Sequence, residues 1–185
     1  LSAVMGGKCL YTSICLTPLE GVPMGTRCGS IDPAIIPYLM GRTGMNAQEI
    51  DTYMNKKSGM LGISGVSSDF RDLAAATKQG NERAALARKM FCYKVRQYIG
   101  AYAATLGGVD AIVMTAGVAE NDGYIREMIL QGLEYLGMDM DWEFNLSCPR
   151  GTDLEITKPS SKVHVYVIPT DEEMTIARDT AELAL

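Results

Sequence analysis

Apolar positions recur with a helical period through the middle of the chain. Between residues 81 and 106 they return every three or four positions, and most charged side chains lie off that stripe, which is typical of an amphipathic helix. Leu86, Met90 and Tyr93 lie on the apolar stripe. We therefore predict one long helix that buries these side chains in the core.

Shorter helices are predicted upstream from their start and stop signals. An Asp-Pro pair at residues 32–33 is typical of a helix N-terminus, and this helix would run to about residue 40. Asn46 and Glu49 have the spacing of a capping box, and Gly59 is the predicted end of that helix. A third helix is predicted over residues 67–79, closed by a following glycine.

The first 33 residues predict a hairpin and a long loop. Apolar and β-branched residues flank a glycine turn within residues 1–15, as in two paired strands. Residues 16–33 contain too many prolines and glycines for a long element, yet Arg27 lies among them. A guanidinium group in such a loop could bind a phosphoryl group, and a surface arginine without function is the alternative.

The second half of the chain predicts two strand-loop-helix units. Apolar runs at residues 110–115 and 163–168 predict strands, and amphipathic segments at 123–136 and 171–184 predict the helices that follow them. Such units place neighbouring strands in one sheet with helices packed on it. Residues 137–161 are expected to form short strands and turns.

Composition narrows the class of protein. The 185 residues are 47% hydrophobic and 21% charged, which is typical of a globular protein. The net charge of −5 gives no electrostatic signature of nucleic-acid binding. Since no apolar run reaches the roughly 18 residues that span a bilayer, and the N-terminus lacks a basic leader, we expect a cytoplasmic protein without nucleic-acid or membrane partners.

The cysteines and the histidine do not predict a metal site or a catalytic triad. The five cysteines are scattered and never adopt CxxC spacing, so we expect reduced, structural thiols. His164 is the only histidine and lies in an alternating apolar stretch. A partly exposed strand position is therefore predicted for it, rather than a metal ligand or a catalytic base.

Two segments carry candidate binding chemistry. The sequence TAGVAEN, residues 115–121, leaves a predicted strand through small residues and begins a helix, so a phosphate or sugar could approach its backbone N–H groups. A packing turn explains the same pattern equally well. In IPTDEEM, Thr170 and Glu173 have capping-box spacing, which leaves Glu172 free to bind magnesium or to remain a surface carboxylate.

Four segments follow one another along the chain: TPLEGVPMGTRCGSIDPAIIPYL (17–39), NKKSGMLGISGVSSDFRD (55–72), DAIVMTAGVAEN (110–121) and VIPTDEEMTIARDT (167–180). Taken together, they resemble the acetate kinase family in sequence and in order. The resemblance covers residues 1–185 but only the C-terminal half of that family. We therefore expect this chain to be the C-terminal nucleotide-binding domain, with the glycine-rich phosphate motif upstream of it and the N-terminal acetate-binding domain absent.

The resemblance implies a fold and an activity. The fold would be α/β, of the actin-like ATPase type shared with sugar kinases and heat-shock ATPases, with a mixed sheet flanked by helices. The activity would be reversible transfer of the γ-phosphoryl group of ATP to acetate, giving acetyl phosphate and ADP, with Mg²⁺, in a homodimer. The chain alone would be inactive. A propionate or butyrate kinase, and a non-catalytic ATP-binding or dimerisation module, are the alternatives.

The resemblance also implies site residues, which would converge around one adenine nucleotide. Arg27 would stabilise the transferring phosphoryl group, and Glu172 would serve magnesium. Four positions depart from the family pattern: Cys28 replaces a serine, Ser30 an aspartate, Ala119 a glycine and Asp171 an asparagine. The residues that would bind the nucleoside are Asp69, Phe70, Arg71, Gly117, Val118, Ala119, Glu120 and Asn121.

Overall fold

A computed structural model describes residues 1–184 and divides the chain into two compact units. The first unit is Leu1–Gly108, and the second begins at Val109. The boundary follows a pair of glycines, Gly107 and Gly108, whose φ angles are 74° and 140°. Such left-handed conformations favour glycine and end the preceding helix.

The first unit is a β-hairpin followed by five helices. The two strands pair antiparallel, which confirms the predicted hairpin. The long helix over the predicted region is also confirmed, with Asn81 as its N-cap. The elements are β1 Ser2–Met5, β2 Lys8–Thr12, α1 Ile35–Thr43, α2 Ala47–Lys56, α3 Gly59–Ser64, α4 Phe70–Lys78 and α5 Glu82–Leu106.

The predicted buried face of α5 is wrong. Leu86, Met90 and Tyr93 are 50%, 44% and 61% exposed. The helix buries a different face that includes Ala84 and Ala87, both 0% exposed. The small alanine side chains let α3 and α4 pack closely against α5, and this contact outweighs the larger apolar residues on the other face.

Helix boundaries in the first unit follow the capping signals with two exceptions. The Asn46 capping box is present as predicted. However, α1 begins at Ile35, because the Asp32 carboxylate accepts a hydrogen bond from the Ala34 N–H in a preceding turn, at 2.9 Å. Gly59 does not end α2, which stops at Lys56; it is instead the first residue of α3.

The second unit contains a mixed three-stranded sheet and four α-helices within its described residues. Strand β3 is parallel to β5, which confirms that the two predicted strand-loop-helix units are neighbours, and β4 is antiparallel to β5. The elements are β3 Ala111–Met114, α6 Ala116–Asn121, α7 Gly123–Leu130, a 3-10 turn Glu134–Leu136, α8 Trp142–Ser147, β4 Leu154–Glu155, β5 His164–Val167 and α9 Glu172–Ala184.

The sheet and α7 supply buried apolar side chains of the second unit. Val165 of β5 and Ile125 of α7 are both 0% exposed. The prediction of only strands and turns over residues 137–161 is wrong, because α8 forms there, with the Asp141 carboxylate accepting from the Phe144 N–H at 2.9 Å. None of the helices in residues 1–184 has the length and apolar character needed to cross a bilayer.

Candidate functional site

Arg27 lies half-buried in the loop between β2 and α1, and the start of α3 fixes the backbone of that loop. The Met24 N–H donates to the Arg27 carbonyl at 3.0 Å, and the Met60 N–H donates to the Met24 carbonyl at 2.9 Å. The guanidinium group donates a hydrogen bond to the Met24 sulfur, at 3.8 Å, and forms no ion pair among the described residues. Its charge therefore remains available for an anion.

Gly59 makes the close approach of this loop possible. Its φ is +57°, and a Cβ atom at this position would lie 2.6 Å from the Arg27 carbonyl oxygen and would overlap the Met24 carbonyl oxygen. Only glycine fits such a conformation and such a contact. Sequence reasoning missed this role because a glycine after a helix is also a common stop signal.

Asp69 and Phe70 both make contacts that stabilise the first unit, a helix cap with an ion pair and an aromatic contact. The Asp69 carboxylate caps α4 by accepting from the Arg71 N–H at 2.8 Å, and it pairs with the Arg71 guanidinium at 2.6 Å. These bonds lower the pKa of Asp69 to about 2. The Phe70 ring packs edge-to-face on Phe91, with 4.7 Å between the ring centroids. The Arg71 side chain is 90% exposed.

Residues 115–121 turn sharply from β3 into α6. Ala116 is the one non-glycine residue with positive φ among residues 1–184, at 64°, so the turn stores backbone strain. The Asn121 side-chain amide donates to the Gly117 carbonyl at 2.8 Å, within the turn. A Cβ atom on Gly117 would meet nothing within 4 Å, and its φ is not positive. No contact in the described chain therefore requires glycine there.

A buried arginine holds the far end of α6. Arg126 is 2% exposed, and its guanidinium donates to the carbonyls of Ala119 at 2.8 Å and Glu120 at 3.0 Å. It also donates to the Asn145 side-chain oxygen at 2.7 Å, and Asn145 is 0% exposed. Burial lowers the pKa of Arg126, and the Cys148 thiol 3.1 Å away opposes that shift. The sequence analysis did not single out this arginine.

The start of α9 differs from the predicted capping box. The Asp171 carboxylate accepts from the Met174 N–H at 3.2 Å, so Asp171 caps the helix and the predicted Thr170–Glu173 box is wrong. Thr170 instead donates to Glu120, from its N–H at 2.9 Å and its hydroxyl at 3.1 Å. Glu172 is exposed at the first position of α9, and its carboxylate has no hydrogen bond or ion pair among the described residues.

His164 occupies the partly exposed strand position that was predicted for it. The His164 ring nitrogen lies 2.6 Å from the Glu155 carboxylate at a half-exposed strand position. Hydrogen bonds from Thr157 and His164 lower the pKa of Glu155. No disulfide bond joins any of the five cysteines within residues 1–184. No group of three or more His, Cys, Asp or Glu side chains within residues 1–184 is arranged to bind a metal ion.

Comparison with solved structures defines the class of protein. The crystal structure of Porphyromonas gingivalis acetate kinase superposes with a TM-score of 0.93 at 47% identity, covering 100% of this chain and 46% of that one. A propionate kinase from Francisella tularensis gives 0.86 at 37% identity, covering 95% of this chain and 44% of that one. The α/β fold with a mixed sheet flanked by helices is therefore that of the short-chain acid kinases, as predicted.

Sequence comparison identifies the family. The acetate kinases of Methanosarcina acetivorans and Treponema denticola are each 55% identical over 183 residues, which cover 99% of this chain and 44% and 46% of those proteins. The model of the acetokinase family matches residues 1–178. The chain belongs to the acetokinase family and spans about half the length of the curated relatives it matches.

Proposed function

We propose that this chain is the nucleotide-binding half of an acetate kinase, which transfers the γ-phosphoryl group of ATP reversibly to acetate. The observation that carries the proposal is the 55% identity to acetate kinases over 183 residues. In the reaction, an acetate oxygen attacks the γ-phosphorus while the bond to the β,γ-bridging oxygen breaks. Acetyl phosphate and ADP are the products.

Arg27 is the proposed catalytic residue of this half. Phosphoryl transfer spreads negative charge over the equatorial oxygens, and catalysis depends on positioning and on charge stabilisation. The Arg27 guanidinium group has no carboxylate partner among the described residues, and backbone hydrogen bonds hold its loop. Both features suit this role. Its planar donors match phosphoryl oxygens bidentately.

Two segments are proposed to bind the nucleoside. In the first unit they are Asp69, Phe70 and the exposed Arg71. In the second unit they are residues 117–121, where the backbone at Gly117 is open. Because no contact within the described chain requires glycine at Gly117, we propose that the missing side chain leaves room for the ligand.

Magnesium is the proposed metal, associated with Glu172. Mg²⁺ is usually bound by one or two carboxylates together with substrate phosphates and water, so a single free carboxylate fits a metal that arrives with the nucleotide. When bound, the metal would neutralise charge on the phosphates. The role of Glu172 is to supply one negatively charged oxygen at the start of α9.

Nucleotide binding and turnover by the purified chain test this proposal. We expect the chain to bind ATP and ADP in calorimetry and to form no acetyl phosphate from acetate and Mg-ATP, because positioning the acid requires residues outside this half. Absence of nucleotide binding would refute the proposal. If the purified chain forms acetyl phosphate and Arg27→Ala abolishes that activity, the expected inactivity of the chain alone is refuted.

Two alternatives remain open to experiment. The similarity to a propionate kinase favours a longer acid as the second candidate, with butyrate as a further one. The other alternative is a non-catalytic ATP-binding or dimerisation role. Turnover assays of a hybrid, in which this chain is joined to the N-terminal half of the Porphyromonas gingivalis enzyme, distinguish this role from catalysis. Unchanged turnover of the hybrid after Arg27→Ala would favour the non-catalytic role, and a complete protein assayed with a series of acids would identify the substrate.

A homodimer and a cytoplasmic location complete the proposal. Leu86, Met90 and Tyr93 leave an apolar face of α5 exposed, which supports self-association. The absence of disulfide bonds within residues 1–184 is in keeping with a reducing compartment.

A further inference from the structure

We propose that Glu120 is a positioning residue that ties the turn at residues 116–121 to the segment preceding Glu172. This inference rests on the proposed function, because it concerns how two nucleotide-binding segments of the second unit are held together. The resemblance to the family implied that Glu120 binds the nucleoside. In the structure its side chain accepts hydrogen bonds from Thr170.

The Glu120–Thr170 contact joins residues 50 positions apart in the chain. One carboxylate oxygen of Glu120 accepts from both the N–H and the hydroxyl of Thr170, at 2.9 and 3.1 Å. Hydrogen bonds to a charged acceptor are stronger than neutral ones. The contact therefore restrains the backbone of Thr170 as well as its side chain.

The Glu120 end of this contact is rigidly anchored. The buried Arg126 guanidinium donates to the Glu120 carbonyl at 3.0 Å and to the neighbouring Ala119 carbonyl at 2.8 Å. Arg126 is held in turn by Asn145, which is 0% exposed. The backbone that carries Glu120 is thus fixed from the interior, while its carboxylate extends to Thr170.

The Thr170 end of the contact lies directly before the start of α9. Asp171 follows Thr170 directly and caps α9 through the Met174 N–H at 3.2 Å. Glu172, the proposed magnesium carboxylate, is the first residue of that helix. Restraining Thr170 therefore restrains Glu172, which lies two residues further along the chain.

This arrangement couples nucleotide binding to metal binding. A nucleotide bound at residues 117–121 and a metal bound at Glu172 each favour the same placement of the two segments. Coupling of this kind is measured as the ratio of two ADP affinities, one with Mg²⁺ present and one without it. Loss of the Glu120–Thr170 contact should lower the preference for Mg-ADP over ADP without metal.

Calorimetry of the purified chain with ADP, in Mg²⁺ and in EDTA, measures this preference. We expect Glu120→Ala to reduce the affinity ratio about fivefold to tenfold. Glu120→Gln should restore most of it, because the amide oxygen can accept the same two bonds. Glu134→Ala is the matched control, since that exposed carboxylate has no hydrogen bond among the described residues. Mere loss of stability would weaken both affinities and leave the ratio unchanged.

Amide hydrogen exchange of Thr170 tests the contact without any ligand. We expect Glu120→Ala to accelerate this exchange about tenfold, and Glu134→Ala to leave it unchanged. Fluorescence of Trp142 in α8, the only tryptophan, verifies that the second unit is folded in each variant. If Glu120→Ala leaves the affinity ratio or the exchange rate unchanged, the inference about Glu120 is overturned and the proposed function is not affected. If the unaltered chain binds no nucleotide, the proposed function fails and the inference fails with it.

Discussion

Gly59 has no side chain, and this allows the loop that carries the charged Arg27 to pack in its observed position. Its positive φ and its contact with the carbonyls of Met24 and Arg27 allow the Arg27 loop to pack against the start of α3. A loop would otherwise be free to move. The placement of the proposed catalytic guanidinium group of Arg27 therefore depends on Gly59, which lies 32 positions further along the chain.

We expect Gly59→Ala to destabilise the first unit by about 2–4 kcal/mol, because the new methyl group would overlap backbone atoms that must move. Native-state hydrogen exchange of the α5 amides measures this opening. Gly41→Ala in α1 is the matched control, since a Cβ atom there meets nothing within 4 Å, and it should stabilise by up to about 1 kcal/mol. Equal effects of the two substitutions would contradict the role assigned to Gly59.

At the scale of single elements, several helix caps were predictable, whereas the starts of α1 and α9 and the buried face of α5 were not. Asn46, Asp69 and Asn81 cap their helices as their side-chain chemistry predicts. The buried face of α5 was mispredicted because apolar residues occur on both sides of the helix, and the end that packs on α3 and α4 buries alanines, which contribute little to a hydrophobic pattern. Packing partners decide which face is buried, and a single helical segment does not contain that information.

The cap of α4 makes the first unit sensitive to acid. Asp69 has a pKa of about 2 in the folded chain against 3.8 for the unperturbed group, chiefly because of its bond to Arg71. A lowered folded pKa contributes stability above pH 3.8 that is lost as the pH falls towards 2. The contribution is small, since the pair is solvent-exposed and screened.

We therefore expect the difference in unfolding free energy between the unaltered chain and Asp69→Asn to be constant above about pH 5 and to shrink between pH 4 and pH 2. Asparagine still caps a helix but loses the ion pair. Urea unfolding followed by circular dichroism across this range measures the difference. Asp153→Asn, which removes an exposed carboxylate without a partner among the described residues, should show no such trend; a trend of equal size there would contradict the assignment.

At the scale of the whole molecule, the sequence predicted which segments matter but not the contacts that support them. The four resembling segments were sufficient to predict the family and the α/β fold, and the two strand-loop-helix patterns predicted that β3 and β5 are neighbours. The Arg126–Asn145 contact and the Glu120–Thr170 contact were missed, because each joins residues far apart in the chain whose local patterns look ordinary. The site roles of Arg27 and Glu172 stay predictions.

The exposed apolar face of α5 leads to a prediction about assembly. We expect the chain to form a dimer in sedimentation analysis and Tyr93→Lys to weaken that dimer about tenfold, because Tyr93 is 61% exposed on this face and a lysine there would resist desolvation. Tyr135→Lys, at a tyrosine that is 73% exposed in the second unit, should leave association unchanged. A monomer at all concentrations would contradict the proposed homodimer.

The glycine pair that closes α5 has a practical consequence for protein engineering. Gly107 and Gly108 both have positive φ, and side chains at either position would meet nothing within 4 Å. A peptide inserted after Gly108 would enter at the division between Leu1–Gly108 and the second unit, where it interrupts neither a helix nor a strand. We expect this junction to accept a protease recognition sequence, so that the two portions can be released and studied as individual polypeptides.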